Sequence, residues 1–365
     1  MKRTYFMAIE DSYTYQQNML IKQKIDDILV QLPKCCTDYI YSKISAEKFQ
    51  PRTRLAYLQE HLLFFKYLCD SHEAFMEYKP TEIPAELLNT LTTQDIEAYL
   101  AYCELYEGEN GIRQNNAPGK ARKLAAIRSL FKYLVGRNIL ASNVAANVDT
   151  PTIPKHDVIF MNSDQQGIFL DNLQDGKHMN TLKAPAEYDE KNIIHIRDVA
   201  IVSLFLGTGI RISELVGSNL NDLDFSDFSL IVTRKGGKIQ KVYFSDDVTD
   251  ALNYYLTHSR PLLLKGEEHP ALFISQRRQR IAVRSVQALL KKYTNYTFAA
   301  NDNWKITPHK LRSTFANNLL DESDDIFLTA EALGHSDLST VQAYAKGQKR
   351  QRAAISLRYR KNEKK

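Results

Sequence analysis

The chain has 365 residues, 44% of them hydrophobic and 25% charged, with a formal net charge of +5. That length and balance exclude a disordered or fibrous protein over most of the chain and fit two domains, each large enough to bury a core. The longest apolar run, around "VAIVSLFLGTGI", is too short to span a bilayer, and "MKRTYFMAIEDSYTY" turns acidic before any leader-like apolar stretch, so the expectation is a cytoplasmic protein with no membrane partner.

Residues 1–40 read as an N-terminal extension. They contain Cys35 and Cys36, which with Cys69 and Cys103 lack both C-x-x-C spacing and a histidine pair, so reduced thiols are expected rather than a zinc site or disulfide framework. "TRLAYLQEHLLFFKYL" and "TTQDIEAYLAYCELY" place apolar residues at helical spacing, the second with Thr93 as its expected N-cap. After the turn-rich "EGENGIRQNNAPGK", the stretch "KARKLAAIRSLFKYLVGRN" aligns Leu124, Ile127, Phe131 and Leu134 as one stripe. An all-helical domain over residues 41–149 follows from this pattern. "DTPTIPKHD" cannot continue a helix, which puts a linker at residues 150–158.

A second domain over residues 159–344 opens with a polar, aperiodic insertion, "QDGKHMNTLKAPAEYDEKN", ahead of a buried helix, "IRDVAIVSLFLGTG". "SLIVTRKGGKIQKVYF" is the clearest β signal, two β-rich runs about Gly236-Gly237 that predict a hairpin. Helical patterns then dominate through "RQRIAVRSVQALLKKY", "HKLRSTFANNLLD" and "LTAEALGH". The fold class is thus mainly α with a small β-sheet or hairpin in the C-terminal domain. Residues 345–365 form a basic tail of net charge +8, leaving −3 on the rest, which suits an acidic partner such as nucleic acid.

Four stretches of the second domain carry chemistry: "TGIRISEL" with Arg211 and Glu214, "TRKGGK" with Lys235, "TPHKLRST" with His309 and Arg312, and "LGHSDLSTVQAY" with His335 and Tyr344. Taken singly each has an ordinary reading. Arg211 and Glu214 form an i,i+3 ion pair, Lys235 is a turn residue, His309 and Arg312 lie on a polar helix face, and tyrosines often line interfaces. Together they supply what phosphodiester cleavage without a metal requires: a nucleophile, cations for the non-bridging oxygens and an acid for the departing alkoxide. The chain lacks both a carboxylate cluster spaced for magnesium and a G-x-x-x-x-G-K-[ST] loop, so neither metal nor other cofactor is expected.

In this order and context the set resembles the active site of the tyrosine recombinase (phage integrase) family. "TPHKLR", "LGHSDLSTVQAY" and "RDVAIVSLFLGTGIRISELV" are similar to its Xer branch, while "LTTQDIEAYL" and "IRSLFKYL" resemble the helical core-binding domain. Length and the stretch "TDYIYSKIS" are most similar to the single-protein Xer recombinases that resolve chromosome dimers. The resemblance implies a two-domain DNA clamp, with a SAM-like core-binding domain beside the catalytic domain. It makes Tyr344 the nucleophile that forms a 3′-phosphotyrosyl link. Arg211, Arg312 and His335 stabilise the transition state, His309 moves the nucleophile's proton, Lys235 protonates the leaving oxygen and Glu214 orients its neighbours. It further implies double-stranded DNA as partner, a homo-tetramer on DNA that exchanges C-terminal tails through a Holliday junction, a DNA translocase as activator, and a nucleoid location.

Two alternatives are an integrase or excision recombinase of a phage or conjugative element, and an inactive sequence-specific DNA-binding accessory protein. For DNA contact the candidates are Arg122, Lys123 and Arg128 in the first domain and Arg277, Arg278, Arg280 and Arg284 in the second.

Overall fold

A computed structural model of the chain describes residues 13–47, 49–108, 111–154, 159–174, 190–298 and 305–334. It divides into two compact units, Met1–Lys155 and His156–Lys365.

In the first unit, α1 (Tyr13–Leu29), α2 (Lys34–Ser45), α3 (Pro51–Ser71), α4 (Thr93–Tyr102) and α5 (Ala117–Val135) surround one core. Proline stands in the first turn of α3 and of α5, where its missing N–H leaves no helical bond unmade. The N-cap of α4 is Thr92, one residue before the expected Thr93: its backbone N–H donates to Asp95 Oδ2 at 2.7 Å, and its hydroxyl accepts from the Asp95 N–H.

Two expectations are corrected here. Residues 13–40 do not stand apart as an extension, because Ile21, Ile25, Leu32, Cys36, Tyr39 and Ile40 are buried in the same core as α3 to α5. The unit is also not purely helical. β1 (Leu105–Gly108) pairs antiparallel with β2 (Gly111–Gln114), with Leu105 opposite Gln114 and Gly108 opposite Gly111.

His61, on α3, is fully buried. Its Nε2 donates to the Ala126 carbonyl at 3.0 Å, while Nδ1 has no hydrogen-bond partner. Burial pushes its pKa down to about 4 from 6.5. The unfolded imidazole therefore takes a proton that the folded one refuses. Stability should decline as pH falls from about 6.5 to about 4, by about 3 kcal/mol in all, and this contribution stops changing below that window. Urea unfolding at about pH 7 and about pH 5 checks this: wild type should lose stability between the two, and His61→Gln should lose clearly less. Equal pH slopes for the two proteins would refute it.

The second unit contains α6 (Ser163–Gln174), α7 (Glu190–Thr208), α8 (Ile212–Gly217), β3 (Leu223–Asp224), β4 (Ser229–Thr233), β5 (Ile239–Tyr243), α9 (Asp246–Tyr254), α10 (Arg260–Leu264), α11 (Val283–Thr297), α12 (Pro308–Ser323) and α13 (Ile326–Leu333). α7 buries Ala200, Ile201, Val202, Leu204 and Phe205, and packs on α9 and α12. An antiparallel sheet runs β3–β4–β5, with register fixed by Ser229 opposite Tyr243 and Thr233 opposite Ile239. The β4–β5 hairpin is the one expected, and β3 extends it by two residues. Of the expected insertion, residues 174–192, the stretch 175–189 lies outside the described residues, and its two ends belong to α6 and α7. Among the described residues no helix is long and apolar enough to cross a membrane, and no three His, Cys, Asp or Glu side chains are grouped to hold a metal.

Candidate active site

The site is built on the turn that ends α7. Gly209 has φ +59°, and a Cβ there would fall 2.3 Å from Phe315 Cδ1, so glycine permits both the left-handed turn and the close approach of α12. Two residues on, Arg211 is the N-cap of α8. Glu214, in the first turn, reaches back to accept from the Arg211 backbone N–H at 2.8 Å through Oε2, and from Arg211 Nη1 at 2.9 Å through Oε1. The R-x-x-E spacing is thus a helix cap as well as an ion pair. The Glu214 side chain is 2% exposed, whereas Arg211 remains 34% exposed, so a buried carboxylate backs a guanidinium that reaches the surface.

A second guanidinium meets Glu214 from the sheet. Arg234, immediately after β4, donates through Nη1 to Glu214 Oε2 at 2.7 Å. The site residue expected from the sequence is the adjacent Lys235, not Arg234. The signal was available: strand alternation turns Leu230, Val232 and Arg234 inward and leaves Ile231 and Thr233 outward. Burial pushes the Arg234 pKa down from its ordinary value, with the Glu214 carboxylate opposing that shift.

Arg312, on α12, closes the arrangement. It is buried, and its Nη1 and Nη2 donate to the carbonyls of Gly209 and Leu333. One acceptor lies two residues before Arg211 and the other two residues before His335. α13 ends at Gly334, which has φ +61° and caps the helix in a left-handed turn. Arg211, Glu214 and Arg312, with Arg234, are thereby drawn into one cluster.

Of the other expected site residues, Lys235 opens a single 3₁₀ turn, Lys235–Gly237, between β4 and β5, in which Gly236 and Gly237 have φ +83° and +81°. His309 is exposed in the first turn of α12, one turn before the buried Arg312. His335 and Tyr344 lie outside the described residues.

The expected DNA-contact residues separate into two groups. Lys123 is buried with Nζ 2.5 Å from Glu60 Oε2, and Arg128 serves the carbonyls of Ala145 and Val148 and the Thr150 hydroxyl. Both act as internal supports of the first unit, Lys123 buried and Arg128 half-buried. Arg122 is different, with a side chain 61% exposed although Nε meets Glu60 Oε1 at 2.9 Å. In the second unit Arg280 is a half-buried clamp on Val216 O, Ser218 O and Asn219 Oδ1, and Arg278 pairs with Glu267. Arg277 and Arg284 are exposed.

The phage integrase family model matches residues 173–351, a span that contains all seven expected catalytic positions. Tyrosine recombinase XerD of Corynebacterium glutamicum is 32% identical over 257 residues, covering 70% of this chain and 79% of that protein. The chain belongs to the phage integrase family. It is a Xer-type tyrosine recombinase, of the class of enzymes that cleave and rejoin DNA at specific sites. Tyrosine recombinase XerS of Streptococcus agalactiae serotype III is 30% identical to the recombinase over 349 residues, 89% of this chain and 95% of that one. Among solved structures, XerH bound to palindromic difH substrate gives a TM-score of 0.57 at 18% identity over 83% of this chain and 78% of that one. A lambda integrase dimer bound to a COC′ core site gives 0.57 at 16% identity, over 90% and 98%. The recombinase shares with them a mainly helical fold carrying small antiparallel sheets.

Proposed function

We propose that the recombinase resolves chromosome dimers by cutting and rejoining a specific DNA site through a 3′-phosphotyrosyl intermediate and a Holliday junction. Tyr344 Oη attacks the scissile phosphorus, the P–O5′ bond breaks, and Lys235 supplies the proton that the 5′-oxygen takes up. His309 accepts the tyrosine proton, and Arg211, Arg312 and His335 hold the charge that develops on the non-bridging oxygens. The phosphotyrosyl bond conserves the energy of the broken one, so attack by the 5′-hydroxyl of a partner strand reverses the step without ATP or metal.

The observation that carries this reading is that Arg211, backed by the buried Glu214 carboxylate, and Arg312, bonded to the Gly209 carbonyl two residues before Arg211, are held at one turn as a cationic pair suited to one phosphate. A guanidinium has five N–H donors, so the carbonyl bonds of Arg312 are compatible with gripping phosphate. The near end-to-end match to XerS supports the single-protein Xer role over a mobile-element integrase. Relatives captured on difH and, as a dimer, on a core site support DNA as partner and assembly upon it; the double-stranded site, the tetramer and its exchange of C-terminal tails belong to the same proposal. The exposure of Arg122, Arg277 and Arg284 supports them as DNA contacts. Activation by a DNA translocase belongs to the same proposal.

The test is a nicked duplex carrying a dimer-resolution site, incubated with the protein in EDTA. A denaturation-resistant adduct should form, and digestion should place the nucleotide on the peptide containing Tyr344. An adduct on another residue would overturn the assignment, and specific binding without any adduct would favour an accessory factor.

A further inference from the structure

Arg234 is withdrawn from any substrate yet joined to several parts of the site. Its side chain is 3% exposed against 34% for Arg211. Nη1 reaches Glu214 Oε2 at 2.7 Å, Nε reaches Gln240 Oε1 at 3.0 Å, and Nη2 reaches the Ala332 carbonyl, near the end of α13, at 2.9 Å. The Gln240 amide in turn donates to the Glu331 carbonyl at 2.8 Å. A Cβ on Gly334 would lie 3.0 Å from Arg234 Nε and 2.8 Å from Gln240 Oε1, so α13 ends directly on this pair.

The backbone of Arg234 also closes the hairpin. Its N–H donates to Lys238 O at 2.7 Å, and its carbonyl accepts from the Gly237 N–H at 3.1 Å. Residues 236–239 are exposed, and two of them are glycines with positive φ. Such a turn has little packing of its own to hold it, so its placement falls to the residues that anchor its base.

We infer that Arg234 is a positioning residue, which docks the Lys235 turn onto the Arg211–Glu214 pair and the end of α13 and so holds the general acid in register with the scissile phosphate. This rests on the role proposed for Lys235. Without Arg234 the lysine is still present but its turn is no longer docked, so protonation of the leaving oxygen suffers more than phosphate binding.

A leaving group that needs no proton separates the two effects. When sulfur replaces the bridging 5′-oxygen, Tyr344 attack forms the same phosphotyrosyl bond, the P–S bond breaks, and the thiolate departs without an acid. Single-turnover adduct formation is measured on oxygen and sulfur substrates for wild type, Arg234→Met, Arg234→Lys, Lys235→Ala and Arg211→Ala. The sulfur-to-oxygen rate ratio is taken within each preparation, so a partly unfolded fraction cancels. On oxygen, Arg234→Met and Lys235→Ala should both be slowed by about 10²-fold or more. On sulfur both should return to within about tenfold of wild type, Arg234→Lys should show an intermediate ratio, and Arg211→Ala should stay slow on either substrate. Rescue of Lys235→Ala but not of Arg234→Met would overturn the inference alone, as would a wild-type oxygen rate in Arg234→Met. Failure of sulfur to rescue Lys235→Ala would remove the general-acid role of Lys235, and the inference with it.

Discussion

Replacing Arg312 by alanine is expected to lower single-turnover DNA cleavage by about 10²–10³-fold or more, and to destabilise the second unit by about 2–5 kcal/mol. The two effects have separate origins. Cleavage falls because a bidentate cation is lost from the charge that builds on the phosphate oxygens. Stability falls because the carbonyls of Gly209 and Leu333 lose buried donors, and with them the tie between the Arg211 turn and the end of α13. Arg312→Lys keeps one cation but cannot present two nitrogens in a planar fork, so it should fall between alanine and wild type in both measurements. Chemical denaturation read beside adduct formation decides the matter. Wild-type stability in Arg312→Ala would dispose of the clamp, and a wild-type rate would dispose of the phosphate grip.

Much of this arrangement was legible from residue spacing. Arg211 and Glu214 stand three apart at a helix start, where a carboxylate serves both the cap and the arginine, and the period-two pattern of residues 229–243 specified the hairpin. Arg234 was legible by the same alternation, which turns it inward, but a charged residue in a turn sequence invites a solvated reading, and only the carboxylate from another segment reverses it. Lys123 is a similar case. It lies four residues before Ile127, on the flank of the buried stripe of α5, so helical spacing alone points it inward, toward Glu60. Its partner comes from α3, and no local pattern shows that.

The first-unit hairpin was missed for a different reason. Its strands have four residues each, and β2 is exposed throughout, so there is no alternation to read. The Asn110-Gly111 step was the available signal. Likewise Ile21 and Ile25, then Cys36, Tyr39 and Ile40, repeat at helical intervals in a polar context and mark the N-terminal helices as part of the core.

Glu214 offers the sharpest test of how far site and fold depend on each other. Its carboxylate is buried between Arg211 and Arg234, with acceptor distances of 2.7 to 2.9 Å. Glu214→Ala strands the Arg234 guanidinium without its counter-charge in the interior, which should destabilise the second unit by about 3–5 kcal/mol. Glu214→Gln retains one acceptor oxygen and should cost less. Removing both charges removes the conflict, so Glu214→Ala with Arg234→Met should be more stable than the two single losses added together, by at least about 1 kcal/mol in a double-mutant cycle. Cleavage should not follow stability. The double variant still lacks the buttress of Arg211 and the anchor of the Lys235 turn, so its cleavage should stay as slow as that of the slower single variant. Additive stabilities would mean that the buried pair is not what joins the hairpin to α8. Recovery of cleavage along with stability would mean that the cluster matters to the reaction only by keeping the unit folded.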